Sequence, residues 1–354
     1  MQQLGIYEQL ITQLVASQLD RDKFFVGERV LDASEAALWL SRFFGDILKY
    51  ALSAIPATDD QLQKQISLAN QLLLWLKQHL QDDSFIEENL LDSQGKILTA
   101  LYSLENPVSA DLRKYVSDIF PLTGLTQSEL FSGGNAGISL ECELKREILS
   151  ADKIYWLVSF IKWAGIRIFR QELEEFTRTG RELKVITTSY MGATDAKAVE
   201  FLASLPNTEV KLSYNTQRER LHAKSYLFLR NTGFHTGYIG SSNLSHSALT
   251  NGLEWNLKIT AREIPHIINK SLSTFETYWA SNEFELFNDN EISATKLRQA
   301  LRQARGDSAA EPQYHFDIKP HPHQEEMLEQ LAMERSLHQR YRNLVVAATG
   351  TGKH

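Results

Sequence analysis

The 354 residues are 43% hydrophobic, 23% charged and 10% aromatic, which supplies real cores and suggests two or three domains. The net charge is −7 from 37 basic and 44 acidic residues; residues 1–120 hold 10 and 17 of these, so the rest is balanced and an overall basic signature for nucleic-acid binding is excluded. One cysteine, Cys142, excludes an intramolecular disulfide and an all-cysteine metal site. The acidic opening MQQLGIYEQL is no secretory leader, and no apolar run reaches the ~18 residues of a membrane span, so a cytoplasmic protein is expected.

Residues 1–125 read as an all-helical accessory domain. ASEAALWLSRFFGDILKYAL (33–52) and QLQKQISLANQLLLWLKQHL (61–80) keep apolar residues on one face at helical spacing. Pro56 and Ala57 form the turn between them, and Asp59 and Asp60 are the N-cap candidates. Shorter helices are expected over 86–104. No pattern of ligands, bases or nucleophiles marks this region.

The composition breaks at Ser132, Gly133, Gly134 and Asn135, as expected of a turn. The texture then alternates. Helices are expected at 140–150, 165–180 (stopped by Gly180), 195–205 and about 262–282. Strands are expected at 153–160, 182–188, 209–214, 222–230, 235–241 and 253–260. This alternation argues for an α/β domain over 126–300 with an at least partly parallel sheet. Residues 302–313 are polar and carry Gly and Pro, the composition of an exposed linker.

Chemistry concentrates in three neighbouring strands. His222 and Lys224 are two apart, so on a strand they share a face. GSSNLS (240–245) closes the next strand with Ser241 and Asn243, also two apart, and Glu254 opens the one after. An imidazole, a cation, an amide, a hydroxyl and a carboxylate are what a phosphoryl-transfer site needs without a metal. Lys211, Arg218 and Arg220 could contact flanking phosphates, and Tyr190 and Trp163 could stack on bases.

These motifs resemble the phospholipase D superfamily, whose mark is His-x-Lys followed by Gly-Ser-x-x-Asn, often with a later Glu. The match runs through His222, Lys224, Gly240, Ser241, Asn243 and Glu254; where many members carry Asp, this chain has Leu229. Residues 138–260 more closely resemble the nuclease-like domain at the N-terminus of bacterial DEAD/DEAH-type helicases. The resemblance implies a phospholipase D-like α/β/α sandwich preceded by the helical domain. It also implies a metal-independent nuclease acting on DNA, with no cofactor of its own. One imidazole would form a phosphohistidine while a second serves as acid and base. Lys224 and Asn243 would hold phosphoryl oxygens, Ser241 would assist, and Glu254 would orient the imidazole. One motif per chain implies a homodimer with a composite site; His246, expected to start a helix, is the weaker second imidazole. The alternative is a catalytically silent DNA-docking module.

Residues 301–354 read as linker and the start of a helicase motor. FDIKPHPHQEEMLEQL (316–331) and NLVVAATGTGK (343–353) resemble superfamily 2, with Gln324 as adenine reader and Gly350, Gly352 and Lys353 as an incomplete phosphate loop. The chain stops at His354, where a magnesium-binding hydroxyl is expected. ATP and magnesium would belong only to the complete motor in restriction, repair or defence, and this chain is not expected to hydrolyse ATP.

Overall fold

The computed structural model describes residues 6–79, 83–105, 107–133, 137–215, 221–250 and 254–305. The chain divides into two units, Met1–Val108 and Ser109–His354.

In the first unit, α1 (Gln13–Gln18), α2 (Ala33–Ser53), α3 (Gln61–Lys77) and α4 (Asp83–Glu88) follow in order. The Asp32 carboxylate caps α2 by accepting from Ser34 N at 2.7 Å. Asp60 precedes α3 without a side-chain cap bond; its carboxylate instead pairs with Lys64 at 2.9 Å. Gln61 and Gln65 tie α3 back to the end of α2 through the Ile55 and Leu52 carbonyls, both at 3.0 Å. The helices expected over 86–104 reduce to the end of α4. A turn closed by Gly95 N donating to Asp92 O, with Gly95 at φ +61°, interrupts that stretch. No described helix in the chain is long and apolar enough to cross a membrane.

The second unit opens with α5 (Leu112–Ile119) and β1 (Glu129–Phe131), then α6 (Leu140–Ser150) and β2 (Lys153–Val158). The helix expected at 165–180 is split into α7 (Trp163–Ile166), a 3₁₀ turn and α8 (Arg170–Arg178); Gly180, at φ +85°, follows its end as expected. Then come β3 (Glu182–Thr188), α9 (Ala196–Ser204), β4 (Thr208–Ser213), β5 (Lys224–Leu229), β6 (Thr236–Gly240), α10 (His246–Leu249) and β7 (Asn256–Thr260). Finally α11 (Pro265–Ala280), β8 (Glu285–Phe287) and α12 (Glu291–Arg305) complete the unit.

Two boundaries differ from the sequence reading. The division falls after Val108, not 125, because α5 belongs to the α/β unit: Arg146 of α6 donates to Ser117 O and Phe120 O. The linker expected from 301 begins as helix, because Ala294, Leu297 and Leu301 of α12 are buried and Arg305 Nε donates to Gly192 O at 2.9 Å.

One eight-stranded sheet runs β1-β7-β6-β5-β2-β3-β4-β8. β2, β3 and β4 are parallel, and every other pairing is antiparallel. Alternate side chains fill two cores. Ile154, Trp156, Val185, Val210, Tyr226, Phe228 and Tyr238 meet α6, α8, α9 and α12 on one face; Tyr155, Leu157, Ile186, Leu227 and Leu229 meet α11 on the other. The first core contains a charge network. Glu143 and Glu147 of α6 are fully buried against Lys258 (2.8 and 3.0 Å), and Glu147 also binds Arg230 at 2.5 Å. Tyr238 and Thr236 donate to Glu147 as well. Burial would raise the Glu147 carboxyl, but the Arg230 and Lys258 charges outweigh it and bring it down to about 2.

Candidate active site

The topology gathers the motif residues at one end of the sheet, where the parallel strands finish. Val158, last in β2, pairs with Lys224, first in β5. Gly240, last in β6, pairs with Asn256, first in β7. Lys224 is one of these four positions, and His222, Ser241, Asn243 and Glu254 flank them in the chain.

His222 lies just before β5 rather than on it, and is exposed. Lys224 is buried, and its Nζ donates to the His222 carbonyl at 2.9 Å. This bond folds the segment back on itself and keeps the imidazole-bearing residue at the strand mouth. Ser241 N donates to Trp255 O, and Trp255 N donates to Ser241 Oγ, both at 3.0 Å. Asn243 Oδ1 accepts from Phe160 N at 3.2 Å, tying the 241–245 loop to the end of β2. Glu254 is half-buried and, with burial, raises the phenol of Tyr226 far above its ordinary range.

The loop is held by residues that sequence reasoning missed. Tyr226 OH donates to Ser242 O at 2.7 Å, and Asn256 Nδ2 donates to Ser242 Oγ at 2.7 Å. Lys162 N donates to Leu244 O at 2.8 Å. Asp195 accepts from Trp163 N at 2.9 Å, anchoring α7 beside the loop. Two glycines permit this packing: a Cβ on Gly165 would lie 2.3 Å from Leu244 O, and one on Gly240 2.1 Å from Trp255 O. The available signal was strand alternation, since Tyr226 and Asn256 each lie two residues beyond a motif residue.

Other candidates separate from this cluster. Lys211 is directed to the sheet face under α11, where its Nζ donates to Trp279 O at 2.6 Å and sits 5.0 Å from that ring's centre. The flanking-phosphate role expected of it is therefore not supported by its position: mid-strand alternation turns it into the second core's rim. Trp163 makes a T-shaped contact with Phe201 and has Lys197 Nζ over its ring. Tyr190 begins the turn after β3, at the motif end of the sheet, and is half-buried. His246 starts α10, with Nδ1 3.3 Å from Thr250 Oγ1. Arg218, Arg220, Gln324, Gly350, Gly352 and Lys353 lie outside the described residues. Among the described residues, no group of three or more His, Cys, Asp or Glu is placed to hold a metal.

Comparison with known proteins identifies this region. Residues 144–279 match the family described as cardiolipin synthase, PLD-like domain. No curated protein matches the chain. Similar solved structures include NucT from Helicobacter pylori, at 19% identity over 44% of this chain and 96% of that one, with a TM-score of 0.34. Nuc from Salmonella typhimurium, a phospholipase D family member, has 17% identity over 46% and 99%, with a TM-score of 0.36. Phosphatidylserine synthase from Haemophilus influenzae has 11% identity over 51% and 43%, with a TM-score of 0.37. At such scores the family match carries the assignment, and it spans every motif residue from His222 to Glu254. Residues 144–279 are thus similar to the PLD-like domain of that family.

Proposed function

We propose that the α/β unit is a phosphodiesterase of the nuclease type acting on DNA, working through a phosphohistidine on His222. The observation that carries this reading is the meeting of an exposed imidazole, an ammonium, a serine, an amide and a carboxylate at one sheet end. In the first step the imidazole attacks phosphorus, a P–N bond forms, and the bond to the leaving oxygen breaks. A second imidazole protonates that oxygen. In the second step this imidazole takes a proton from water, whose oxygen attacks phosphorus and releases His222. Lys224 and Asn243 hold the phosphoryl oxygens, with Ser241 assisting, and Glu254 orients the imidazole. The second imidazole is His222 of another copy, so the site is composite in a homodimer. Coupling to a helicase motor rests on the motor-like sequence after 316.

The test incubates the full chain with plasmid and single-stranded DNA in excess EDTA, beside His222→Ala. Cleavage that persists in EDTA and is lost in the variant supports the reading. DNA binding without cleavage by the folded protein overturns it and leaves a silent docking module.

A further inference from the structure

β2 ends at Val158, and the residues that follow it reach both arms of the site. Ser159 N donates to Ala223 O at 3.0 Å, Phe160 N to Asn243 Oδ1 at 3.2 Å, Ile161 N to Thr194 Oγ1 at 3.5 Å and Lys162 N to Leu244 O at 2.8 Å. Each backbone donor of the segment is used, and those of Ser159, Phe160 and Lys162 hold either the His222–Lys224 segment or the Asn243 loop.

Ser159 does more than its main chain requires. It is fully buried, and its hydroxyl donates to the same Ala223 carbonyl at 3.1 Å. The N–H bond alone would extend the β2–β5 ladder one residue beyond the Val158–Lys224 pair; the hydroxyl takes up the carbonyl's second lone pair. Ala223 stands between His222 and Lys224, and the His222 carbonyl accepts from Lys224 Nζ at 2.9 Å. Both carbonyls of the motif segment are therefore held by side-chain donors. Behind Ser159, the buried Thr187 of β3 donates to Ser159 O at 3.1 Å. A buried chain of bonds thus runs from β3, past the end of β2, to the start of β5.

Phe160 fixes the other arm. An N–H can only donate, so the Asn243 amide must turn its oxygen to Phe160. The NH2, a donor, is then the part of that side chain left for an oxyanion.

We infer that Ser159 is a positioning residue for the site, its hydroxyl setting the His222–Lys224 segment against the Asn243 amide that the next residue holds. This rests on the phosphoryl-transfer reading of that site. Ser159 acts through Ala223 and contacts no substrate. Attack on phosphorus tolerates little misplacement of the imidazole, whereas holding a polyanion through several cations tolerates more. Loss of the hydroxyl should therefore reach kcat and spare KM.

The test compares wild type, Ser159→Ala, Ser159→Thr and Thr187→Val as full chains. Three readouts are taken: DNA-cleavage kinetics in EDTA, thermal melts, and NMR of isotope-labelled histidine rings, with the His222 signal assigned by His222→Ala. Ser159→Ala is expected to lower kcat about tenfold and change KM less than about twofold. Ser159→Thr, which keeps the hydroxyl, is expected to restore kcat. Thr187→Val is expected to lower kcat about threefold, because it removes only the backing bond. An unchanged kcat in folded Ser159→Ala overturns the inference. So does a loss that tracks the unfolded fraction, or one that a folded Ser159→Thr fails to restore. If Ser159→Ala does not fold, Thr187→Val decides by its kcat alone. A wild type that does not cleave overturns the nuclease reading instead. The inference is then read from the His222 ring signal: a shift or doubling in Ser159→Ala supports it, and an unmoved signal overturns it.

Discussion

The two units put similar amphipathic patterns to different use. In the α/β unit, α6 buries Leu140, Leu144 and Ile148 together with two carboxylates, and the sheet is buried on both faces for most of its length. In the helical unit, α2 and α3 bury no side chain completely, and Ile86 is its only described side chain in the buried core. Phe44, Ile47 and Trp75 remain exposed. Amphipathic spacing was enough to make helices in both. Only in the second unit did a sheet supply the surface that turns a helix face into a core. The proposed site lies in the well-packed unit, as a phosphoryl site would require, because its groups need rigid neighbours to hold them.

The comparison can be broken or sharpened by experiment. If function resides in the α/β unit, His222→Ala lowers DNA cleavage about a thousandfold or more while leaving the melting temperature unchanged. Retained cleavage would detach the motif from the activity.

The next largest effect is on the buried charges. Lys258→Ala strands Glu143 and Glu147 without a cation each shares, and is expected to cost about 3–5 kcal/mol in urea unfolding. Among the described residues of the helical unit no comparable loss is expected, since the ion pairs there are largely exposed.

Acid provides a related reading. The Glu147 carboxyl is lowered from 4.5 to about 2 in the folded protein. Its contribution to stability is therefore complete above pH 4.5 and is lost as the pH falls toward about 2. Glu147→Gln should flatten the stability of the α/β unit across that window, measured by thermal melts between its limits. An unchanged slope would mean that this carboxylate does not govern acid unfolding.

Smaller still is Gly165→Ala, whose Cβ meets the Leu244 carbonyl. A loss of about 1–3 kcal/mol is expected from the forced shift, with a fall in cleavage because Leu244 adjoins Asn243. An Ala tolerated without either change would mean that the loop can move aside. The smallest effect is expected for Leu48→Ala in α2, at a side chain already exposed. Its unfolding free energy should stay within about 0.5 kcal/mol; a larger loss would reveal packing on that helix.

Much of this molecule was legible before folding. The strand at 182–188 and the helix at 140–150 match β3 and α6 end to end, because each is a buried run or an amphipathic turn bounded by clear stops. The edge strands β1 and β8 were not legible. Each has three residues, too few for a period, and each exists only because a neighbour offers a free edge. The motif residues were visible as residue types at short spacing, whereas their supports were not. Tyr226, Asn256 and Asp195 act on the loop through hydrogen bonds from other strands and helices.

Local pattern alone determined an α/β region and singled out His222, Lys224, Ser241, Asn243 and Glu254 as its candidate site, because alternation and residue type are properties of neighbouring positions. Tertiary structure decided the rest. It sent Lys211 and Trp163 into packing and paired α6 carboxylates with cations from other segments. These outcomes depend on which surfaces meet across many residues of chain, and residue spacing carries no record of that.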